Sequence, residues 1–166
     1  MTRAIEHGVF SGVPSEEQLT EWGFEEWVEP TPTPEELLDK AKADKIAELE
    51  TYDDSDAVNS FTIRTQDCDF IEWLDPYKRN NASRAIESAK KLSIPTLTTA
   101  IGDIPLTLAT EDADLYLAQL EIYAVTCTGV TASHKAAINA LKTVEEVEGY
   151  DFTQGYPEKL VFSIEN

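Results

Sequence analysis

Three prolines at alternate positions, in Glu29-Pro30-Thr31-Pro32-Thr33-Pro34, constrain this chain more than any other feature. Each proline fixes φ and removes a backbone donor, so neither a helix nor a sheet ladder crosses the segment, and the extended polyproline form is left. The chain therefore reads as an arm at residues 1–28, a semi-rigid spacer at 29–34 and a body at 35–166. At 166 residues and 42% apolar content, there is enough material for one core and too little for two sizeable domains.

In the arm, Ser15 and Gln18 have the spacing of a capping box, which predicts a helix from Glu16 to Trp22. Gly23 stands where a left-handed residue closes such a helix. Trp22, Phe24 and Trp27 are more aromatic surface than so small a segment buries by itself, so they are expected to pack on the body or on another chain.

In the body, Leu38, Ala41, Ile46 and Leu49 recur at helical spacing, predicting a helix from Glu35 to about Tyr52. Ala57 to Arg64 and Phe70 to Leu74 are β-rich and are expected to pair antiparallel. Asp75-Pro76 is a helix entry, and the helix should run to about Leu92 and bury Ala82, Ala85, Ile86 and Ala89. Thr96 to Ala109 reads as a hairpin turning at Gly102-Asp103, with Ile101 opposite Ile104, Thr99 opposite Leu106 and Leu97 opposite Leu108. Pro105 marks its strand as an edge or as locally irregular. Thr110 is expected to cap a central helix in which Leu115, Leu117, Leu120, Ile122, Tyr123 and Val125 spread around the circumference, as in an element buried on several sides. Gly129 is expected to break it, with a second helix from Thr131 carrying Ala137, Ile138, Leu141 and Val144, and Thr143 with Glu146 capping a last short turn. Tyr150 to Phe162 is read as an exit segment. The fold class expected is α+β: a small antiparallel sheet of two hairpin-like strand pairs, packed on a long buried C-terminal helix and flanking helices, with an N-terminal arm.

Charge narrows the function. Lys and Arg number 13 against 32 Asp and Glu, a formal charge of −19, which disfavours nucleic acid and anionic membranes as partners. No apolar run is long enough for a membrane span, and MTRAIEHGVF has no apolar segment after a basic one, so a cytosolic chain is expected. Cys68 and Cys127 match no metal or redox spacing and are expected to be small buried hydrophobes. His7 and His134 have no second ligand at metal spacing and are expected on the surface. A calcium loop begun at Asp54 puts Val58 and Asn59 where an oxygen ligand and a glycine are needed. No nucleophile elbow or phosphate cradle is present. Thus no catalytic residue, cofactor or metal is expected. With 32 acidic residues, an acid and base pair of the glycosidase kind is unassignable.

One helix goes against the overall charge: Lys78, Arg79, Arg84, Lys90 and Lys91 stand against Glu87 alone. Such a face either complements the chain's own Glu-rich segments or docks another subunit. With Trp22, Phe24 and Trp27, these five cations are the candidate partner-binding residues.

Tyr52-Asp53-Asp54-Ser55-Asp56-Ala57-Val58-Asn59-Ser60-Phe61 and Trp73-Leu74-Asp75 resemble a phage-associated domain of unknown function found in Bacteroides phages and prophages. Leu120 to Ala124, Lys142 to Val147 and Tyr150 to Leu160 are similar to the family's closing sequence, and Ser15 to Leu19 before Gly23 to its N-terminal piece. The middle departs from the family, which usually shows a more aromatic hairpin and an Arg-led helix where this chain has Thr96 to Leu108 and Asp75 to Arg79. The resemblance implies a gene near tail-fibre or tail-structure genes and no known catalysis. The function expected is therefore a virion-associated or tail-assembly protein acting through protein contacts. Its partners would be other phage structural or tail proteins and further copies of itself, in the host cytoplasm during assembly and then in the virion. The rival readings are an acidic host-takeover factor or DNA mimic and, behind it, an enzyme whose carboxylates are hidden in the excess.

Overall fold

The computed structural model describes residues 15–21, 23, 31–101 and 104–164. Contacts divide the chain into two units, Met1–Thr33 and Pro34–Asn166. In the first, α1 (Glu16–Glu21) is entered through the expected capping box, with Ser15 N–H donating to Gln18 Oε1 at 2.9 Å and Gln18 N–H to Ser15 Oγ at 3.3 Å. Gly23 closes it at φ +73°, a conformation in which a Cβ would be strained. Trp22, Phe24 and Trp27 lie outside the described residues.

The second unit is α+β. Its described elements run α2 (Pro34–Asp53), β1 (Ser60–Arg64), β2 (Asp69–Trp73), α3 (Pro76–Leu92), β3 (Thr96–Ile101), β4 (Ile104–Ala109), α4 (Thr110–Ala140), α5 (Val144–Glu148) and β5 (Val161–Ser163). β1 and β2 form the expected antiparallel pair, and Arg64 holds Asp69 across its turn end through two guanidinium nitrogens, at 2.9 and 2.8 Å. β5 adds a third strand parallel to β1, with Ile63 opposite Phe162. The exit segment read from sequence thus returns to the sheet; three residues are too few to show an alternating pattern. β3 and β4 form a separate two-stranded sheet in the expected register, Leu97 opposite Leu108 and Thr99 opposite Leu106. With only two strands both are edges, which is where Pro105 is tolerated.

α3 follows its signals closely. Asp75 Oδ1 accepts from the Tyr77 and Lys78 amides, Pro76 fills the first turn, and Ser93 ends the helix in the left-handed region at φ 57°. Ile86 and Ala89 are buried and Ala82 partly so, whereas Ala85, expected inside, is exposed.

α4 departs from expectation in three ways. Thr110 does not cap it: the cap is Ala109, and the Thr110 hydroxyl, already inside the helix, donates to Ile94 O at 2.7 Å. Gly129 does not break it: α4 runs unbroken for 31 residues, about 46 Å. A mid-helix glycine costs about 1 kcal/mol, less than the burial of Cys127, Thr131 and Ile138 on either side of it returns. Nor is the helix buried all round: Leu120, Tyr123, Cys127, Thr131 and Ile138 face the core, while Leu115, Ile122 and Val125 are exposed on the far side.

The core has three parts. Val58, Leu74, Leu120, Tyr123, Cys127 and Phe162 form the middle. Ile63, Leu106 and Ile164 join the hairpin to the three-stranded sheet. Leu49, Ile138 and Val147 knit α2, α4 and α5 together, with the predicted Leu38, Ala41 and Ile46 packed against them. α2 runs antiparallel to α4, as Lys42 reaching Asn139 O, Glu50 pairing with Lys135 and Asp53 accepting from Thr131 show. The capping box of α5 is present: Glu146 N–H donates to Thr143 Oγ1, and Glu146 Oε2 accepts from the Lys142 and Thr143 amides.

Candidate functional site

The feature of the second unit best formed to receive something is an apolar cleft of about 640 Å³ between α3, the β3–β4 hairpin, the sheet and the first half of α4. Leu106, Ile63, Phe162 and Leu120 line it, and each is buried. The cleft exists because the facing helices present small side chains there. Ala82 and Ala85 of α3 and Ala113 of α4 leave room that a leucine would fill. Lys78 and Glu72, paired at 3.3 Å, lie at its polar edge. A volume of this size is in the range of sites that hold a small ligand or an anchoring side chain.

The basic helix is mostly complemented from within. Arg79 Nε pairs with Glu121 at 2.9 Å, its Nη1 donates to Leu74 O at 2.6 Å, and Lys90 pairs with Asp114. Arg79 and Lys90 sit 11 residues apart on α3 and meet carboxylates seven apart on α4, the geometry of an antiparallel helix pair tied at both ends. Lys78 is held by Glu72. Arg84 and Lys91, seven apart, point away from α4 and are exposed, with no ion pair among the described residues. The five cations therefore do not act as one face.

A second polar cluster was not legible in sequence. His134, expected on the surface, is partly buried with both ring nitrogens engaged, Nδ1 with Tyr150 Oη at 2.8 Å and Nε2 with Gln154 O at 2.9 Å. A carbonyl only accepts, so Nε2 carries the proton. Thr131 donates to Asp53 at 2.6 Å, which leaves its oxygen to accept from Tyr156 at 2.8 Å. The Tyr150–Tyr156 stretch is thus a strap tied down onto α4. The signal for it lay in the phenols of the closing sequence, whose hydroxyls need partners once buried.

Burial pushes the Tyr123 phenol up to about 12, and its hydroxyl donates to Val58 O at 3.2 Å. Burial also raises the Cys127 thiol, which keeps it protonated and a poor nucleophile. Cys68, expected to be buried, is exposed in the β1–β2 turn, where its carbonyl accepts from Thr65. Among the described residues no cluster of three or more His, Cys, Asp or Glu side chains has the geometry to hold a metal, no helix is long and apolar enough to cross a membrane, and no buried side-chain polar atom lacks a partner. No protein-family model matches the chain, and neither a curated protein nor a solved structure matches it.

Proposed function

We propose that this chain works by binding and not by catalysis, as an assembly protein that takes an apolar segment of a partner protein into the cleft between α3 and the β3–β4 hairpin. The cleft carries the reading: an apolar space of about 640 Å³ left open in a body whose buried polar side chains are otherwise satisfied. Apolar side chains entering it would exchange water for Leu106, Phe162 and Leu120, and a few such anchors supply most of the energy of a typical interface. The setting we propose, the tail or tail-fibre assembly of a tailed phage, is supported by the sequence resemblance of residues 52–61, 73–75 and 150–160.

The test uses Ala85→Trp, which places an indole at the edge of the cleft. Wild type should bind an apolar fluorophore and bind at least one neighbouring tail protein in calorimetry. The variant, with an unchanged melting temperature, should lose both by tenfold or more. Equal binding by the two proteins removes the cleft from the function. Dye binding without recognition of any tail protein, together with absence of the chain from purified virions by mass spectrometry, keeps the cleft, overturns the tail setting and shifts the reading to the host-takeover factor.

A further inference from the structure

Among the described residues the outward face of α4 is left exposed, and none of its residues lines the cleft. Leu115, Ala118, Ile122, Val125, Gly129, Ala132 and Ala136 follow one another at alternating steps of three and four residues, the spacing that keeps one stripe of a helix against a partner helix. All seven are exposed, Leu115 at 54%, Ile122 at 67% and Val125 at 65%. In a chain that is 27% charged, none of the seven carries a charge, and the stripe extends about 30 Å along the helix. Its exposed polar neighbours direct their hydroxyls to the helix's own backbone: Thr126, Thr128 and Ser133 donate to the carbonyls of Ile122, Ala124 and Gly129 at 2.7, 3.0 and 2.9 Å. The chain's own packing gives no reason for Gly129 either, since a Cβ there would meet nothing within 4 Å.

We infer that this stripe is a self-association seam, on which a second copy of the chain packs its own α4 antiparallel about a two-fold axis near Val125. Size selects that occupant and that direction. The bulky residues Leu115 and Ile122 stand in the first half of the stripe, and the small residues Gly129, Ala132 and Ala136 in the second. Reversal about Val125 sets Leu115 between the partner's Ala132 and Ala136, and Ile122 against the partner's Gly129. Knobs then meet holes along the whole seam, and Gly129 allows the backbones to approach. Charge selects the same direction. Asp114 and Glu121 flank the bulky half and Lys135 flanks the small half on the same side, each partly exposed although paired within its own chain. The antiparallel arrangement brings Lys135 level with the partner's Asp114 on the same side of the seam, whereas a parallel one puts the two on opposite sides of it and about 30 Å apart along the helix. A single helix stripe is smaller than the roughly 800 Å² per partner of a standard interface, so the dimer should be reversible in the micromolar range.

Sedimentation equilibrium of the full chain should show a concentration-dependent monomer–dimer transition. Val125→Glu places two like charges at the axis and should weaken association a hundredfold or more. Mixing Val125→Glu with Val125→Lys should restore it, which only a contact of Val125 with its own copy explains. Gly129→Ala should raise the melting temperature of dilute, monomeric protein by about 2 °C, because alanine is the better helix former, while weakening the dimer at least tenfold. In a Cys68→Ser background, mixed Leu115→Cys and Ala136→Cys chains should cross-link to each other in preference to themselves. A chain that stays monomeric to millimolar concentration overturns the inference. So does a dimer indifferent to Val125→Glu, and so does preferential Leu115→Cys self-cross-linking.

Discussion

The two halves of α4 sit in opposite kinds of packing. Its second half meets α2 and α5 in a sealed joint where Leu49, Ile138 and Val147 are each 0% exposed and the strap is tied over His134 and Thr131. Its first half faces α3 and the hairpin across a cleft of about 640 Å³, where Leu97, Leu108 and Leu117 are only partly covered. One helix thus supplies a rigid anchor at one end and a wall of an open site at the other. Packing is tightest at the second half, and the end that we propose receives a partner is left underpacked, as expected of regions that adjust on binding.

The contrast breaks most directly by truncating side chains at each end. Leu49→Ala should cost about 3–5 kcal/mol, since a site packed by three helices collapses poorly around a lost isobutyl group. Leu97→Ala, on a wall that already borders open space, should cost about 1 kcal/mol. Urea unfolding measures both, and comparable losses would show that the hairpin end is as tightly held as the helical joint.

A smaller difference is expected between His134 and Lys78. His134→Ala removes two hydrogen bonds and leaves the partly buried Tyr150 hydroxyl and Gln154 carbonyl to find water, so it should cost about 1–3 kcal/mol. Lys78→Ala, at the cleft edge, removes an exposed ion pair with Glu72 and should change stability by less than about 1 kcal/mol. Thermal melts of the two variants should therefore separate clearly. Equal shifts would mean that the strap is decoration and that α4 is held by α2 alone.

Which of these features the sequence disclosed depends on how local each signal is. The Asp75-Pro76 entry, the two capping boxes and the register from Leu97 to Leu108 are set by residues within a turn or a hairpin of one another, and all were legible. The length of α4 was not, because Gly129 carries a local cost that only distant burial outweighs, and the helix finds that burial against α2 and the strap. The role of His134 was hidden for the same reason: its partners lie 16 and 20 residues on, in a segment with no regular structure. The cleft was invisible because alanines at 82, 85 and 113 read as ordinary helix formers, and only the placement of the hairpin makes their smallness a space. The partition of the basic helix followed from the i, i+7 pair Asp114 and Glu121, whose relation to Arg79 and Lys90 appears only once α3 and α4 lie antiparallel.

The smallest expected effect is one of pH, and it too should divide the molecule. At the sealed end, Glu146 accepts from the amides of Lys142 and Thr143, which holds its carboxyl below the ordinary range. Asp151, in the strap, is held down by the hydroxyl and amide of Thr153. A carboxyl whose folded value lies below its unfolded value binds fewer protons when folded. Its contribution is therefore complete above the unfolded value, about 4.3 for Glu, and is lost as the pH falls through the lower folded value. Acid should consequently loosen α5 and the strap while β3 and β4, whose described residues carry no such carboxyl, respond only through global stability. Hydrogen exchange followed from pH 6 to about pH 3 should show excess opening at residues 144–156 and not at 96–101. Glu146→Gln keeps an oxygen that accepts the same two amides but no longer titrates, so it should flatten the response of α5 and leave the part due to Asp151. If α5 keeps its protection in acid in the wild type, the joint is held by Val147 alone, and the carboxylate cap adds nothing to the difference between the two ends.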